Sequence, residues 1–211
     1  MPAEEFRRHG LALVEWIAAY FENPRRYRVS APTEVGELLR LLPESGPETG
    51  EPMEAILADF SNLILPSVTH WNHPRFHAYF SVSSSGPGVL GEMLIAALNV
   101  NAMLWKSCPA ATELEQITAT WVLDWLGLPR DWFGMILDCA STAVHQAMIA
   151  ARHKTEPESR TRGSSGALSA YISKHTHASV EKAAIAAGIG QANVRRIGVD
   201  CFFRMDPAQC H

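Results

Sequence analysis

Between Gly134 and Arg152 the chain reads GMILDCASTAVHQAMIAAR. Met135, Ile136 and Leu137 form a short apolar run that predicts a buried parallel strand, and Ala143 to Arg152 is rich in good helix formers. The turn between them is Asp138-Cys139-Ala140-Ser141-Thr142. At the first turn of a helix the backbone N–H groups lack intrahelical partners and the dipole end is positive, so an anion settles there. Ser141 and Thr142 can add hydroxyl donors, while Ala140 lets the backbone approach a ligand closely. The pattern suits a bound phosphate. It equally suits an ordinary Ser/Thr helix cap, and this stretch by itself leaves both open.

A second candidate lies in SKHTHASVEKAA, Ser173 to Ala184. A histidine pair leaves a predicted strand, and Ser179 follows just inside a predicted helix. His177 is then expected to project over the place where a ligand held at Ser141 and Thr142 would lie, where an imidazole can stack on a flat aromatic cofactor. A surface histidine near a helix start is the competing reading. His70, His73 and His77 suggest a metal cluster by spacing alone. Pro74, however, prevents the continuous helix that would put the last two on one face, and no carboxylate or cysteine completes a set, so no metal is expected. Glu113 and Glu115 are expected to answer a helix dipole, and Trp121 and Trp125, at i and i+4, to pack in a core.

The elements that must position these residues follow from periodicity. Leu11, Val14, Ile17, Ala18 and Phe21 recur at helical spacing up to Asn23-Pro24. A helix is predicted over Thr33–Leu41, capped by Thr33 and stopped by Pro43, and residues 43–52 (PESGPETGEP) form a loop. Met53, Ile56, Leu57, Phe60, Leu63 and Ile64 mark an amphipathic helix ending at Pro66. Long apolar helices are predicted over Pro87–Met103 and Thr112–Leu126. Residues 155–166 form a polar loop, Ala167–Ile172 and Asn193–Ile197 are strands, and Ala178–Ala187 is a helix. Strand, helix, strand, helix and strand in that order indicate an α/β fold with right-handed crossovers in a mostly parallel sheet, whose ligands bind at the carboxyl ends of the strands. Ser141, Thr142 and the residues after Ile172 share that rim. The organisation expected is a helical arm with a pocket segment over residues 1–85, then an α/β domain over 86–211.

The chain has 211 residues, 47% of them hydrophobic and 19% charged, with a formal net charge of −4. No basic stripe appears, so nucleic acid is not an expected partner. The N-terminus lacks a basic region followed by an apolar core, and no apolar run approaches a membrane span, so a cytoplasmic protein is expected. Cys108, Cys139, Cys201 and Cys210 are irregularly spaced with no CxxC pair, which points to reduced thiols.

Five segments in order, VTHWNHPRFHAYF (68–80), CPAATELE (108–115), GMILDCASTA (134–143), THASVEKAA (176–184) and FRMDP (203–207), resemble the pyridoxal-phosphate-dependent group II amino-acid decarboxylases, nearest to the aromatic-L-amino-acid decarboxylases. The early helices and TEVGELLRLLP fit that family's N-terminal arm, so the resemblance covers nearly the whole chain. It implies a fold type I PLP-dependent transferase large domain, an amino-acid substrate, pyridoxal 5'-phosphate as cofactor, and a homodimer in which the arm wraps the partner subunit. By position, Ala140, Ser141 and Thr142 match the residues that hold the cofactor phosphate, and His177 matches the histidine stacked on the pyridine ring. Trp71, Tyr79, Phe80 and Val82 match the substrate-pocket segment, joined by Asn101 and Met103 where the family offers apolar or aromatic side chains. Two departures bear on the substrate: Asn101 and Met103 themselves, and Ser81-Val82 in place of the Pro-Thr pair common in aromatic-specific members.

The family's chemistry needs a lysine for the resting Schiff base and an acid against the pyridine nitrogen. The resemblance implies an Asp-Ala-Ala-Tyr and a His-Lys-Trp segment, and neither occurs among these 211 residues. Lys106, Lys154, Lys174 and Lys182 stand in no such context. Asp206-Pro207-Ala208 has the signature of a helix start close to His211. The expectation is therefore a truncated N-terminal portion of a decarboxylase, inactive alone, with a non-catalytic fragment that pairs with and modulates a full-length subunit as the alternative.

Overall fold

The computed structural model describes residues 1–209 and forms two compact units, Met1–Asn99 and Val100–His211. The expectations that fall on Cys210 and His211 lie outside the described residues.

In the first unit, α1 (Ala3–Glu22) ends at Asn23 before Pro24, as the periodicity predicts. Its aromatic face carries the packing. Trp16 stacks on Tyr20 at 5.6 Å and meets Phe60 edge-on at 5.4 Å. Tyr20 and Tyr27 close around the buried His70, whose ring stacks on Tyr27 at 4.7 Å and whose Nδ1 lies 3.0 Å from the Tyr20 hydroxyl. His70 is thus an interior group of an aromatic cluster and His73 is buried as well; burial pushes His70 below the usual histidine value, helped by His73. Among the described residues no group of three or more His, Cys, Asp or Glu side chains could hold a metal ion.

In this unit three helices differ from expectation in their boundaries. The second helix, α2, is confined to Glu37–Leu41, because Gly36 at φ 84° takes a left-handed conformation that turns the chain just before it. Thr33 donates its hydroxyl to Ser67 at 2.8 Å instead of capping the helix, so a tertiary bond displaced the local one. The amphipathic run from Met53 divides into α3 (Met53–Asp59), a wider turn over Phe60–Ile64 and a short tight turn over Leu65–Ser67. The helix α4 covers Gly86–Leu98, with the Ser85 hydroxyl accepting from the Gly88 N–H at 3.2 Å, and stops where Asn99 turns left-handed at φ 50°. Met103 therefore lies beyond it.

In the second unit, α5 (Pro109–Trp125) is followed by the segment leading to α6 (Ala140–Thr155). The strand predicted at Met135–Leu137 does not form. Met135 and Ile136 are more than half exposed, and a strand needs a neighbour's backbone to bond with. Here the Ile136 N–H goes instead to the Glu115 carboxylate, 2.8 Å away. Gly134 passes so close to α5 that a Cβ there would lie 2.6 Å from the Ala119 methyl. Glu113 likewise serves a tertiary bond, accepting from Trp105 Nε1 at 2.9 Å, rather than the helix dipole. Trp121 and Trp125, read as core, are exposed; the apolar surface of α5 is broader than the described segments packed on it.

The short helix α7 (Ser159–Arg162) leads to β1 (Ala170–Ser173), α8 (Ala178–Ala186) and β2 (Val194–Ile197). The strands β1 and β2 pair in parallel, with Ala170 opposite Val194 and Ser173 opposite Ile197. This is the predicted β-α-β crossover. The core of the unit is Ala170, Ala184 and Ile189, with Met148 of α6, Leu168 and Val194 against them. Small residues let the helices come close: Ala184 is 0% exposed, and α8 packs along α6.

Candidate functional site

That close packing of α6 and α8 sets the first sequence candidate, Ser141 and Thr142, beside the helix that follows the second, His177. Ser141 and Thr142 from the first turn of α6 share one cavity of about 280 Å³ with Ser179 and Lys182 from the start of α8, and with His145. The helical repeat explains the set: Thr142 and His145 on α6, and Ser179 and Lys182 on α8, are each three residues apart and so lie on one face. Ala140 is the first residue of α6, and the N-cap Cys139 makes no side-chain cap bond.

The electrostatics of this turn favour negative charge. The Cys139 Sγ lies 3.2 Å from the Thr142 hydroxyl. That hydroxyl first, then the backbone N–H groups of Thr142 and Ser141, hold the thiol below the usual cysteine range, against an opposing effect of Asp138. The Thr142 hydroxyl is also the main reason the Asp138 carboxyl is lowered. Donors that stabilise a thiolate and a carboxylate can stabilise a phosphate. His145 lines the same cavity, and its Nε2 is buried with no partner among the described residues. Sequence reasoning passed over His145. The i, i+3 spacing from Thr142 was the available signal, hidden by the length of the apolar helix around it.

His177 is the N-cap of α8. Its Nδ1 accepts from the Ser179 N–H at 3.2 Å, and the Ser179 hydroxyl lies 2.9 Å from the same nitrogen. The ring is therefore fixed two residues from a cavity-lining serine, although it does not itself line that cavity.

The remaining predicted residues fall in two places. Trp71 stacks on Tyr79 at 5.6 Å and tilts against Phe76 at 4.7 Å. Tyr79 takes a left-handed φ of 56°, a conformation costly for an aromatic residue. Tyr79, Phe80 and Val82 are 88%, 95% and 73% exposed. These belong to the first unit. Asn101 and Met103 belong to the second, where the Asn101 Oδ1 accepts from the Met103 N–H at 3.0 Å and the Met103 side chain is exposed.

A fold with a phosphate-suited helix start and a β-α-β crossover matches one family by comparison. Residues 35–211 match the pyridoxal-dependent decarboxylase conserved domain. The chain is 41% identical over 199 residues to phenylacetaldehyde synthase of Petunia hybrida and 40% identical over 200 residues to tyrosine decarboxylase 1 of Narcissus pseudonarcissus, covering 92% of this chain and 39% of each relative. Its structure is similar to that of Catharanthus roseus tryptophan decarboxylase in complex with L-tryptophan, with a TM-score of 0.89 and 34% identity, over 100% of this chain and 45% of the other. The chain belongs to the pyridoxal-dependent decarboxylases and has their fold type I architecture. It spans less than half the length of the relatives it matches.

The cofactor of the family is pyridoxal phosphate. The donors around Ser141 and Thr142 fit its phosphate: two hydroxyls, the N-terminal dipole of a sixteen-residue helix and an ammonium on the cavity wall.

Proposed function

We propose that this chain is the N-terminal portion of a PLP-dependent carboxy-lyase acting on aromatic or related L-amino acids. The observation that carries the reading is the shared cavity at the starts of α6 and α8, where the residues suited to a phosphate meet Ser179, the neighbour of His177. When bound, pyridoxal phosphate supplies an electron sink for the loss of the α-carboxyl. The chain's own part is to bind and orient. Ser141, Thr142 and the backbone at Ala140 hold the phosphate, Lys182 lends positive charge, and His177 covers the ring. Trp71 and Tyr79 stack as one aromatic wall in the first unit; the family resemblance assigns Trp71, Tyr79, Phe80 and Val82 there, and Asn101 and Met103 in the second unit, to the substrate. The active assembly is a homodimer: Phe6 and Leu11 on α1 leave apolar surface open to a second copy. A cytosolic, reducing compartment suits the free thiols of Cys108, Cys139 and Cys201.

None of Lys106, Lys154, Lys174 and Lys182 stands in the context of a Schiff-base lysine, so this chain by itself turns over no amino acid. Nothing in the described structure favours the alternative of a non-catalytic modulator. The test is carbon dioxide release from L-tyrosine and L-tryptophan with added PLP, together with the 31P resonance of the cofactor. The reading expects release no faster than with free PLP, and a saturable change in the 31P signal. Release above that background would mean that one of the four lysines serves as the tether; an unchanged 31P signal would remove the cofactor site.

A further inference from the structure

The N-cap position of a helix is ordinarily filled by Ser, Thr, Asp or Asn, whose small side chains suffice to accept an N–H. In α8 a histidine performs that task, and this determines the chemistry of its ring. The Ser179 backbone N–H has only a proton to give, so the Nδ1 it reaches at 3.2 Å is an acceptor and carries no proton. The Ser179 hydroxyl, 2.9 Å from the same nitrogen, can rotate to donate as well. A neutral imidazole has one N–H, which then falls on Nε2. Among the described residues no hydrogen bond engages Nε2.

We propose that Ser179 is a positioning residue that locks His177 as the Nε2–H tautomer, so that the ring offers its surroundings a hydrogen-bond donor and no acceptor. Such a ring receives a ligand oxygen, carboxylate or carbonyl, and discriminates against a group that can only donate. The use of this donor rests on His177 facing the cofactor and substrate, whereas the tautomer itself depends only on α8. The serine acts twice: its backbone sets which nitrogen is bare, and its hydroxyl holds the ring plane. Because Ser179 also lines the cavity with Ser141 and Thr142, it couples the orientation of the ring to the phosphate-suited turn.

The test is long-range proton–nitrogen NMR on the 15N-labelled chain at a pH where the ring is neutral, with His177→Gln to assign its signals. The expected spectrum has a pyridine-type Nδ1 and a pyrrole-type Nε2. Ser179→Ala keeps the backbone N–H and should keep the single tautomer, while loss of the hydroxyl donor moves the Nδ1 signal alone; Ser179→Thr, which keeps the hydroxyl, should restore its position. A protonated Nδ1 in the unmodified chain overturns the proposal, and this needs no variant to fold. A Ser179→Ala spectrum identical to the parent overturns the role of the hydroxyl. Added PLP separates the two readings: if the His177 signals do not respond while the single tautomer persists, the functional reading fails and the lock stands.

Discussion

The Glu115 carboxylate accepts the backbone N–H of Ile136 at 2.8 Å, twenty-one residues along the chain. One side chain of α5 thus ties down the segment that delivers Ser141 and Thr142 to the start of α6. The contact does for this segment what a strand ladder would have done, at a single point. Glu115→Ala should cost roughly 1 kcal/mol, the usual net worth of such a bond, and should speed hydrogen exchange at the Ile136 amide more than elsewhere. Unchanged exchange at that amide would show that the bond does not hold the segment.

Packing between α6 and α8 sets the cavity, and Ala184 of α8, clustered with Ala170 and Ile189 in the core, is 0% exposed. Ala184→Leu forces extra carbon atoms into a closed space and should destabilise the second unit by about 1–3 kcal/mol. Ile172→Ala, on β1, should cost about 2–5 kcal/mol by leaving a void. Denaturant unfolding measures both; losses under about 0.5 kcal/mol would mean that these side chains do not sit in a packed core.

Cys139 reports on the anion-favouring turn. Its thiol is held below the usual cysteine range, with the Thr142 hydroxyl the largest cause. The thiolate therefore forms at lower pH than in an ordinary cysteine, and alkylation of Cys139 should begin at lower pH than that of a cysteine in a short reference peptide. Thr142→Val should move the Cys139 profile to higher pH. A Cys139 profile that coincides with the peptide's would contradict the electrostatic account.

The loop after α6 has its own pH dependence. Ser165, through its hydroxyl and then its N–H, lowers the pKa of Glu156, which also meets Ser164 at 3.3 Å. A carboxyl whose folded pKa is depressed stabilises above its unfolded value and loses that contribution as pH falls toward the folded value. Proteolysis within residues 156–165 should accordingly rise on acidification below the ordinary carboxylate range, and Glu156→Gln should abolish that rise. A pH-independent cleavage rate in the parent chain would count against it.

Assembly follows from the first unit. Phe6 and Leu11 are 65% and 63% exposed on α1, and apolar surface of this kind marks an interface. Sedimentation should show a dimer or larger species, and replacing both residues with glutamate should shift it toward monomer. A monodisperse parent monomer with α1 resistant to proteolysis would overturn this.

The parts legible in the sequence are those governed by local periodicity. The end of α1 at Asn23-Pro24, α8 and the β1-α8-β2 crossover emerge as their patterns predict. The helix after this turn also forms, but it begins at Ala140 rather than Ala143, so Ser141 and Thr142 lie inside its first turn. What local reasoning missed depends on distant partners. Thr33 left its helix for Ser67, Ile136 found Glu115 rather than a strand, and Gly36 and Asn99 ended elements through left-handed backbone. His145 shares the cavity with residues of α8, a neighbour that local periodicity does not reveal.

The central claim is that the starts of α6 and α8 hold the phosphate of pyridoxal phosphate. Equilibrium binding of PLP and of pyridoxal, which lacks the phosphate, to the parent chain and to Ser141→Ala tests it directly. With each hydrogen bond to a charged group worth roughly 1.5–3 kcal/mol, PLP should bind at least tenfold tighter than pyridoxal, and Ser141→Ala should erase about one such bond, roughly ten- to a hundredfold in affinity. Equal binding of PLP and pyridoxal, unaffected by Ser141→Ala, would contradict the account.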